Sequence, residues 1–314
     1  MNDFSRKFGI ELEITRISKG ECLRAIRAAG VAVDIEGYNH IDYADHWKIV
    51  NDGSVQDGFE LVSPILDGQA GLDEALRVSA AISTAGASAN KTCGFHVHFD
   101  AWSMNVAEIR MICKRYAAFE EKIDSFMPES RRGNNNQYCK SVVHEFSKSA
   151  YNAARTPAEL ADAQYDRYFK VNLRAYLRHH TIEFRQHSGT ADPEKIKNWV
   201  LFLNDFINES IRLASLPGCQ SETHQKHWQN LIDLISGNDG MLASEIIGRL
   251  GIQPHSLRGQ ISHMRAAGIA ITTTRTPAGS IYKYCKEDAQ DALFNGVDTE
   301  TKEFYMRRAA QMAA

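Results

Sequence analysis

Three short segments of the sequence place ionisable side chains at every second position. Residues 8–14 read FGIELEI, residues 94–100 read GFHVHFD and residues 181–187 read TIEFRQH. Side chains two apart on a β-strand share a face, so each segment predicts a strand with one ionisable and one mainly apolar face. The ionisable faces carry Glu11 and Glu13, then His96, His98 and Asp100, then Glu183, Arg185 and His187.

The residue types on these faces suit the binding of cations and phosphates. A solvated face of an antiparallel sheet gives the same alternation, and for any single segment it is the more common explanation. However, Glu11 and Glu13 repel each other on one face unless a cation lies between them. Carboxylate oxygens suit Mg²⁺ or Mn²⁺, and histidine is compatible with either. Arg185 would then hold a phosphoryl group with its guanidinium fork.

A fourth segment adds two carboxylates. Residues 51–64 read NDGSVQDGFELVSP, in which Asp52 ends one predicted strand and Glu60 lies on the next. Both are candidate metal ligands. For Asp52 the Asp-Gly pair is also ordinary turn chemistry.

Hydrophobic periodicity predicts the elements that must position these groups. Strands are expected at 8–17, 31–35, 47–55, 58–66, 93–101, 167–177 and 180–187. Helices are expected at 20–30, 71–85, 104–127, 157–164 and 192–215, with a loop at 128–140.

The pattern changes after residue 220. Three short helices, at 227–236, 242–252 and 256–269, precede two β-prone runs within 270–285, an order that resembles a winged helix-turn-helix. The sequence therefore predicts a catalytic domain at 1–220, a winged-helix-like domain at 221–290 and a helical tail at 291–314.

A basic patch lies within this second region. The stretch from 249 to 286 contains six Arg or Lys residues and no Asp or Glu: Arg249, Arg258, Arg265, Arg275, Lys283 and Lys286. The patch predicts DNA contact through residues 249–286. Docking of another protein is an equally common use of such a module.

Composition limits the remaining classes of function. The chain has 314 residues, 24% charged and 43% hydrophobic, as in soluble globular proteins, and its net charge of −3 requires any nucleic-acid contact to be local. None of its six cysteines forms C-x-x-C, so neither a disulfide framework nor a thiolate zinc site is expected. Without an apolar run of signal-peptide or membrane-span length, we expect a cytoplasmic protein without membrane contact.

Taken in order, four motifs resemble the amidoligase family. They are FGIELEI, DGSV…ELVSP, CGFHVHFD and NLRAY…HHTIEFRQHSGT, and the resemblance covers residues 6–215. These enzymes are carboxylate–amine ligases of the glutamine synthetase and glutamate–cysteine ligase superfamily. The resemblance implies an α+β fold with flanking helices and a curved antiparallel sheet that holds ATP and at least two Mg²⁺ ions. It also implies that ATP converts a carboxylate to an acyl phosphate, which an amine then displaces to form an amide.

The resemblance assigns roles to individual residues. One metal is expected on Glu13 and Glu60, with Asp52 as a third ligand. A second metal, which bridges the ATP phosphates, is expected on Glu11, Glu183 and either His96 or His98. Arg185 is expected to steady the transferring phosphate, and Asn172 and Arg174 to line the nucleotide site. The predicted catalytic residues are Glu183, Arg185 and Arg131, with Arg131 and Arg132 contacting a substrate carboxylate or phosphate, and His187 lying behind the reacting groups.

Two other functions remain open from the sequence. A catalytically altered ligase fold would act as a DNA-binding regulator through its C-terminal region. A metal-dependent hydrolase would use His96 and His98 with Glu60 or Glu183 around zinc. The acid and the amine, whether small molecules or peptides, are not defined by these residues, and related folds lead us to expect a homo-oligomer.

Overall fold

The computed structural model describes residues 4–37, 45–215, 222–237, 239–266, 271–284 and 293–313. The chain divides into two compact units, Met1–Asp205 with Val297–Ala314, and Phe206–Gly296. The domain boundaries predicted at 220 and 290 stay a prediction, and residues 216–221 and 285–292, in which these boundaries lie, fall outside the described residues.

An eight-stranded sheet organises the first unit. Its strands are β1 (Lys7–Thr15), β2 (Val33–Ile35), β3 (Trp47–Val50), β4 (Gly58–Val62), β5 (Leu66–Asp67), β6 (Gly94–Asp100), β7 (Val171–Asn172) and β8 (Thr181–Ser188). The order is β2-β3-β4-β1-β6-β8-β7, and β5 pairs with β1 beside this path.

The sheet is mixed, so the prediction of a fully antiparallel sheet is wrong at one edge. Strands β2 and β3 run parallel, whereas the other strand pairs are antiparallel. A parallel pair needs a connection that returns the chain to the end from which it started.

Helices flank this sheet. In the first unit they are α1 (Lys19–Ala28), α2 (Gly68–Thr84), α3 (Val106–Ser125), α4 (Ser149–Ala153), α5 (Pro157–Asp162), α6 (Tyr176–His179), the first part of α7 (Pro193–Ala214) and a C-terminal helix (Thr299–Ala313). Asn105 caps α3 in a reciprocal arrangement with Glu108, and Thr156 caps α5, which starts at Pro157 as the sequence predicts. No helix in the described ranges has both the length and the apolar character needed to cross a membrane.

The apolar face of the sheet forms the core of this unit. Phe95, Val97 and Phe99 are fully buried, and the Phe184 ring lies 5.6 Å from Tyr116 of α3. Because this face is covered by helices, the ionisable side chains of the same strands project from the opposite face.

The long strand predicted at 167–177 is wrong, because only Val171–Asn172 form β7. The side-chain oxygen of Asn172 accepts a hydrogen bond of 2.9 Å from the backbone N–H of Arg174. This local bond turns the chain, as asparagine side chains commonly do, and α6 follows instead of further strand.

A β-bulge in β8 moves His187 to the core. The register pairs Phe95 with His187 but Val97 with Phe184, so β8 contains one extra residue here. The His187 side chain is fully buried, with ring centroids 5.4 Å from Phe95 and 5.3 Å from Trp199. The prediction that His187 shares a face with Glu183 and Arg185 is therefore wrong.

The second unit contains three further helices and a small sheet. The helices are α8 (Glu222–Ile235), α9 (Ala243–Leu250) and α10 (Pro254–Ala266). The C-terminal helix of the first unit, Thr299–Ala313, is called α11. Strands β9 (Met241–Leu242), β10 (Ile271–Thr276) and β11 (Gly279–Tyr284) pair in the order β10-β11-β9. The winged-helix interpretation of this unit stays a prediction.

Candidate active site

A cavity of about 1200 Å³ lies over the ionisable face of the large sheet. Of the predicted site residues, it is lined by Glu11, Asp52, Glu60, His96, His98, Asn172, Arg174, Glu183 and Arg185. The four sequence segments that carry the motifs therefore meet at one place. Glu13 and Arg131 do not line the cavity, although Glu13 Oε1 lies 3.7 Å from His96 Nε2.

The sheet register explains how distant residues become neighbours. The cross-strand partners are Glu13 with Glu60, Glu11 with His96, and His98 with Glu183. Directly opposed side chains on one face lie within contact distance. Four adjacent strands, β4, β1, β6 and β8, thus assemble a cluster of carboxylates and imidazoles.

The cluster contains overlapping sets of potential metal ligands, each with its ligand atoms within 4.8 Å of one another. The sets are Glu13, Asp52 and Glu60; Glu11, His98 and Glu183; and Glu11, Glu60 and His96. The first set contains the residues that the resemblance implies for one metal, and the second contains those implied for the other metal, with His98 as its histidine.

Two of these carboxylates each have one oxygen already engaged. The backbone N–H of Gly94 donates to Glu13 Oε2 at 2.5 Å. The backbone N–H and the hydroxyl of Ser54 donate to Asp52 Oδ1 at 2.6 and 2.5 Å. These bonds hold both carboxylates in place and leave their second oxygens to face the cluster.

The crowding of negative charge in the cluster shifts the pKa values of its carboxylates. Burial raises the pKa of Glu60 well above its usual value, and the carboxylates of Glu11, Asp52 and Glu13 raise it further. Burial also opposes ionisation of Glu11, but the imidazoles of His96 and His98 outweigh it and hold the Glu11 pKa well below its usual value. A divalent cation would relieve the repulsion at Glu60.

The surroundings of the two histidines favour His98 as a metal ligand. Its Nδ1 lies 3.0 Å from Thr181 Oγ1, and its buried Nε2 has no hydrogen-bond partner among the described residues. This Nε2 lies 3.4 Å from Glu11 Oε1 and 3.8 Å from Glu183 Oε1. Metal-binding histidines commonly use one nitrogen for the ion and the other for a supporting hydrogen bond. The Nδ1 of His96 is instead 3.0 Å from Glu11 Oε2.

Glu183 and Arg185 form a fixed pair on β8. Arg185 Nη1 makes an ion pair with Glu183 Oε1, and Arg185 Nε donates to the Tyr138 carbonyl at 3.3 Å. Asn172 Nδ2 donates to the other Glu183 oxygen at 2.5 Å. Burial opposes ionisation of Glu183, but Arg185 beside it holds the Glu183 pKa below its usual value. Guanidinium has five N–H donors, so these contacts leave donor capacity for a phosphate.

The structure does not bring the two loop arginines into the cavity. Arg131 is 2% exposed and donates to the Cys93 carbonyl, and Arg132 donates to the Met127 carbonyl at 2.8 Å. Gly94 permits this approach, because a Cβ there would lie 3.1 Å from Arg131 Nη2. Arg174 does line the cavity, and its Nη1 donates to the Gln164 carbonyl at 2.9 Å.

A buried ionic network supports β8 from the core side. Lys170 is fully buried, and its Nζ lies 2.9 Å from Glu120 and 2.6 Å from Asp124. The Lys170 carbonyl accepts the backbone N–H of Arg185 at 2.9 Å, and Gln186 Nε2 donates to Asp124 at 2.5 Å. The network therefore anchors the strand that presents Glu183 and Arg185.

The sequence motifs missed several residues of the cavity. Lys48, a 7%-exposed residue of β3, lines it, as do Tyr138, Tyr165, Arg167 and Tyr168. The segment WKIV carried a signal for Lys48, since a lone lysine alternates there with Trp47 and Ile49. The tyrosines lie on irregular segments, where no periodicity indicates which side chains face a cavity.

A family model described as "Putative amidoligase enzyme" matches residues 5–207, more than half of the chain. The solved complex between Prokaryotic Ubiquitin-like Protein Pup and its ligase PafA contains a chain similar to this one, with a TM-score of 0.36 and 12% sequence identity. The similarity covers 98% of this chain and 63% of that chain. No curated protein matches the chain.

Proposed function

The chain belongs to the amidoligase family, and on that basis we propose that it is an ATP-dependent ligase that joins a carboxylate to an amine. The observation that carries this proposal is the convergence of Glu11, Glu60, Glu183 and Arg185 on one cavity. An acid-rich site beside a fixed guanidinium suits phosphoryl transfer, which depends on charge neutralisation and alignment.

The residues present fit two divalent cations. The buried Nε2 of His98, which faces Glu11 and Glu183, supplies an available nitrogen ligand among carboxylates. Glu11, His98 and Glu183 would hold one Mg²⁺ or Mn²⁺, and Glu13, Asp52 and Glu60 the other. Bound there, the cations would supply positive charge that neutralises the phosphates of ATP.

The chemistry that we propose has two steps. An oxygen of the substrate carboxylate attacks the γ-phosphorus of ATP, the bond from the γ-phosphorus to the bridging oxygen breaks, and ADP leaves. The amine nitrogen then attacks the carbonyl carbon of the acyl phosphate, inorganic phosphate departs with the C–O bonding electrons, and the nitrogen loses a proton. Arg185 holds the phosphoryl oxygens in both steps, and Glu183 fixes the orientation of Arg185.

The cavity is large enough for this pair of substrates. Sites for one drug-sized ligand typically occupy about 300 to 1000 Å³, whereas this cavity measures about 1200 Å³. Asn172 and Arg174 line one side of it, where we place the nucleotide.

Hydroxylamine provides a direct test, because it replaces an unknown amine and converts an acyl phosphate into a coloured hydroxamate. The purified protein is incubated with ATP, Mg²⁺, hydroxylamine and a panel of amino acids, dicarboxylic acids and short peptides. We expect ADP and hydroxamate in equal amounts with at least one acid, and neither product after removal of the metal with EDTA. Absence of both products across the panel, or equal production with EDTA, would overturn the proposal.

The zinc hydrolase alternative is less consistent with the geometry. It needs His96 and His98 on one ion, but the potential ligand sets of the described residues place the two histidines in separate groups.

A second proposal concerns a nucleic-acid partner for the second unit. Four exposed residues of α10 recur at helical spacing and share one face: His255, Arg258, Ser262 and Arg265. Arg265 donates to the Ile271 carbonyl at 2.8 Å and to Thr273, so its guanidinium is fixed beside β10. The face is cationic and contains no acidic residue, which favours binding to phosphates.

Salt-dependent gel shifts test this partner. The full chain should retard duplex DNA at low salt, and Arg258→Ala should weaken binding and lower the slope of log K against log salt by about one. Arg307→Ala, at an exposed position of α11, is the matched control and should bind like the wild type. Equal weakening by both variants, or no retardation of the wild type, would exclude this face as the contact.

The predicted homo-oligomer and cytoplasmic location stay predictions.

A further inference from the structure

The loop of residues 133–142 contacts Arg185, although the two arginines that precede it do not line the cavity. The Tyr138 carbonyl accepts the Arg185 Nε–H at 3.3 Å, and Cys139 Sγ donates to the Arg185 carbonyl at 3.6 Å. The Tyr138 ring lies 5.2 Å from the Tyr168 ring, which is 5.9 Å from the Arg185 guanidinium carbon. Two consecutive loop residues therefore hold both the side chain and the backbone of Arg185.

Backbone hydrogen bonds align this loop with the strand that carries Arg185. Lys140 donates its N–H to the Tyr168 carbonyl at 2.8 Å, and its own carbonyl accepts the Lys170 N–H at 2.9 Å. The Lys170 carbonyl in turn accepts the Arg185 N–H at 2.9 Å. The loop, residues 168–170 and β8 are thus linked side by side, so a displacement of the loop would shift the groups that hold Arg185.

Two carboxylates of α3 fix the ends of the loop. Asp124 Oδ2 accepts the Gly133 N–H at 2.8 Å, and Glu120 Oε2 accepts the Val142 N–H at 2.7 Å. Glu120 and Asp124 lie on one side of the helix, one turn apart. Because both carboxylates also bind the buried Lys170, the ends of the loop are tied to the network behind β8.

Asparagine side chains shape the chain between these ends. Asn134 Oδ1 accepts the Ser141 N–H at 2.9 Å and so closes the loop across seven residues. Asn136 Oδ1 accepts the Tyr138 N–H at 2.8 Å. A side chain that binds the N–H two residues ahead forms an Asx turn, which fixes the direction of the chain. The Asn136 turn therefore lies directly before the carbonyl that binds Arg185.

The planarity of one peptide unit connects Asn136 to Arg185. The Asn136 carbonyl accepts the Cys139 N–H at 3.1 Å. This N–H and the Tyr138 carbonyl belong to the same trans peptide unit, so they point in opposite directions. Because the turn binds the N–H, the Tyr138 carbonyl points away from the turn, and there it meets Arg185 Nε.

We propose that Asn136 is a positioning residue for phosphoryl transfer, because it directs the Tyr138 carbonyl that holds the Arg185 guanidinium. Glu183 binds the same guanidinium at Nη1, so acceptors at two of its nitrogens restrict its rotation. A guanidinium held in advance needs no reorganisation when charge develops on a phosphoryl group. The inference rests on the proposed ligase function for its catalytic consequence, whereas the restraint on Arg185 can be measured without turnover.

Substitutions of Asn136 isolate the turn. Asn136→Ala removes the side-chain acceptor, whereas Asn136→Asp keeps an oxygen that forms the same turn. Asn134→Ala, at an exposed position, opens the loop in a different way and replaces Asn136→Ala if that variant folds poorly. Gln137→Ala, at an exposed position of the same loop, is the matched control.

Nuclear magnetic resonance of the Arg185 Nε–H measures the restraint directly. The full chain is produced with isotope-labelled arginine, and the Arg185 signal is identified by its absence in Arg185→Lys. We expect this N–H to exchange with water about tenfold faster in Asn136→Ala than in the wild type and in Gln137→Ala. Asn136→Asp should restore slow exchange. Equal exchange in the wild type and Asn136→Ala would overturn the inference.

Turnover measures the catalytic consequence. In hydroxamate formation we expect kcat of Asn136→Ala to fall about tenfold to a hundredfold, with KM for ATP within about twofold of the wild-type value. A group that acts mainly in the transition state changes kcat in this way, and Asn136→Asp should recover most of the loss. Gln137→Ala should keep the wild-type kcat.

The outcomes distinguish this inference from the proposed function. Arg185 exchange that depends on Asn136, in a protein that forms no hydroxamate from any acid, would support the positioning of Arg185 and overturn the ligase. Hydroxamate formation with the wild-type kcat in Asn136→Ala would support the ligase and overturn the inference.

Discussion

At the scale of single residues, Glu183 receives more polar contacts than its neighbours in the cluster. Arg185 and Asn172 bind its two oxygens, and His98 Nε2 lies 3.8 Å from one of them. One side chain therefore connects the guanidinium, the β7 amide and the candidate metal ligands. Its loss should disturb both the charge and the geometry of the site.

Glu183→Gln tests this convergence. The substitution keeps the shape but removes the charge that pairs with Arg185, so we expect hydroxamate formation to fall at least about a hundredfold. Glu194→Gln, at an exposed position of α7, is the control and should retain activity. If Glu183→Gln has the wild-type rate of turnover and the wild-type unfolding temperature, Glu183 is not part of the active site.

The two histidines of β6 should differ in their effect on metal affinity. We expect His98→Gln to weaken Mn²⁺ binding about tenfold to a hundredfold, because it removes the nitrogen that faces Glu11 and Glu183. His96→Gln is the matched comparison and should weaken it less. Mn²⁺ titration followed by electron paramagnetic resonance measures both, and a reversed order of affinities would contradict the assignment of His98.

At the scale of elements, alternation along the strands predicted most of the site. Glu11, His96, His98 and Glu183 line one cavity because their strands follow the two-residue period throughout the relevant stretch. The period fails at His187, since the bulge in β8 depends on pairing with β6 and leaves no mark in the local sequence.

Other elements were beyond prediction for similar reasons. The segment 167–177 has the composition of a strand, but the side chain of Asn172 turns the chain after two residues. The local sequence of β2 does not indicate which strand it pairs with or in which direction, so its parallel pairing with β3 could not be predicted. The positions of most strands were thus predictable from the sequence. The pairing of the strands and the position of the bulge depend on contacts in the assembled sheet, and the sequence did not indicate them.

The network behind β8 should make a large contribution to stability. Lys170→Met leaves Glu120 and Asp124 without their shared buried cation, so we expect the free energy of unfolding to fall by about 3–5 kcal/mol. Urea unfolding measures the change, and Lys91→Met, at an exposed position, serves as the control. A loss below about 1 kcal/mol would show that the network is not needed for stability.

The buried position of His187 should make stability depend on pH. Burial lowers the pKa of His187 to about 3, whereas in an unfolded chain it is about 6.5. Between these values the unfolded chain binds the extra proton, so His187 lowers stability as the pH falls from about 6.5 towards 3, by up to about 1.4 kcal/mol per pH unit.

Replacement of this histidine tests that contribution. His187→Gln should flatten the dependence of the unfolding free energy on pH between 6.5 and 4, measured by urea unfolding at a series of pH values. His144→Gln changes an exposed histidine and should leave the dependence unchanged. An unaltered slope in His187→Gln would mean that other groups cause the acid sensitivity.

At the scale of the whole molecule, the site exists only in the folded chain. The potential ligands extend from Glu11 to Glu183, and their register across β4, β1, β6 and β8 brings them together. An unfolded chain offers no such cluster, so a cation that binds the fold must stabilise it.

Mn²⁺ should therefore raise the unfolding temperature. At a hundred times its dissociation constant, one bound ion contributes about 2.7 kcal/mol. EDTA should reverse the increase, and Glu11→Gln combined with Glu60→Gln should abolish it. Glu121→Gln, at an exposed position of α3, should respond like the wild type. An equal increase in the double variant would locate the stabilising ion elsewhere.

The hydrogen bonds to Glu13 and Asp52 have a consequence for ion selectivity. In each carboxylate one oxygen accepts a hydrogen bond from a backbone N–H, of Gly94 or of Ser54, which favours coordination of a cation through the other oxygen alone. Calcium favours six to eight oxygens and often takes both from a carboxylate, whereas magnesium accepts fewer, singly coordinated ligands and retains water. The backbone N–H groups of Gly94 and Ser54 thus bias this part of the cluster against calcium.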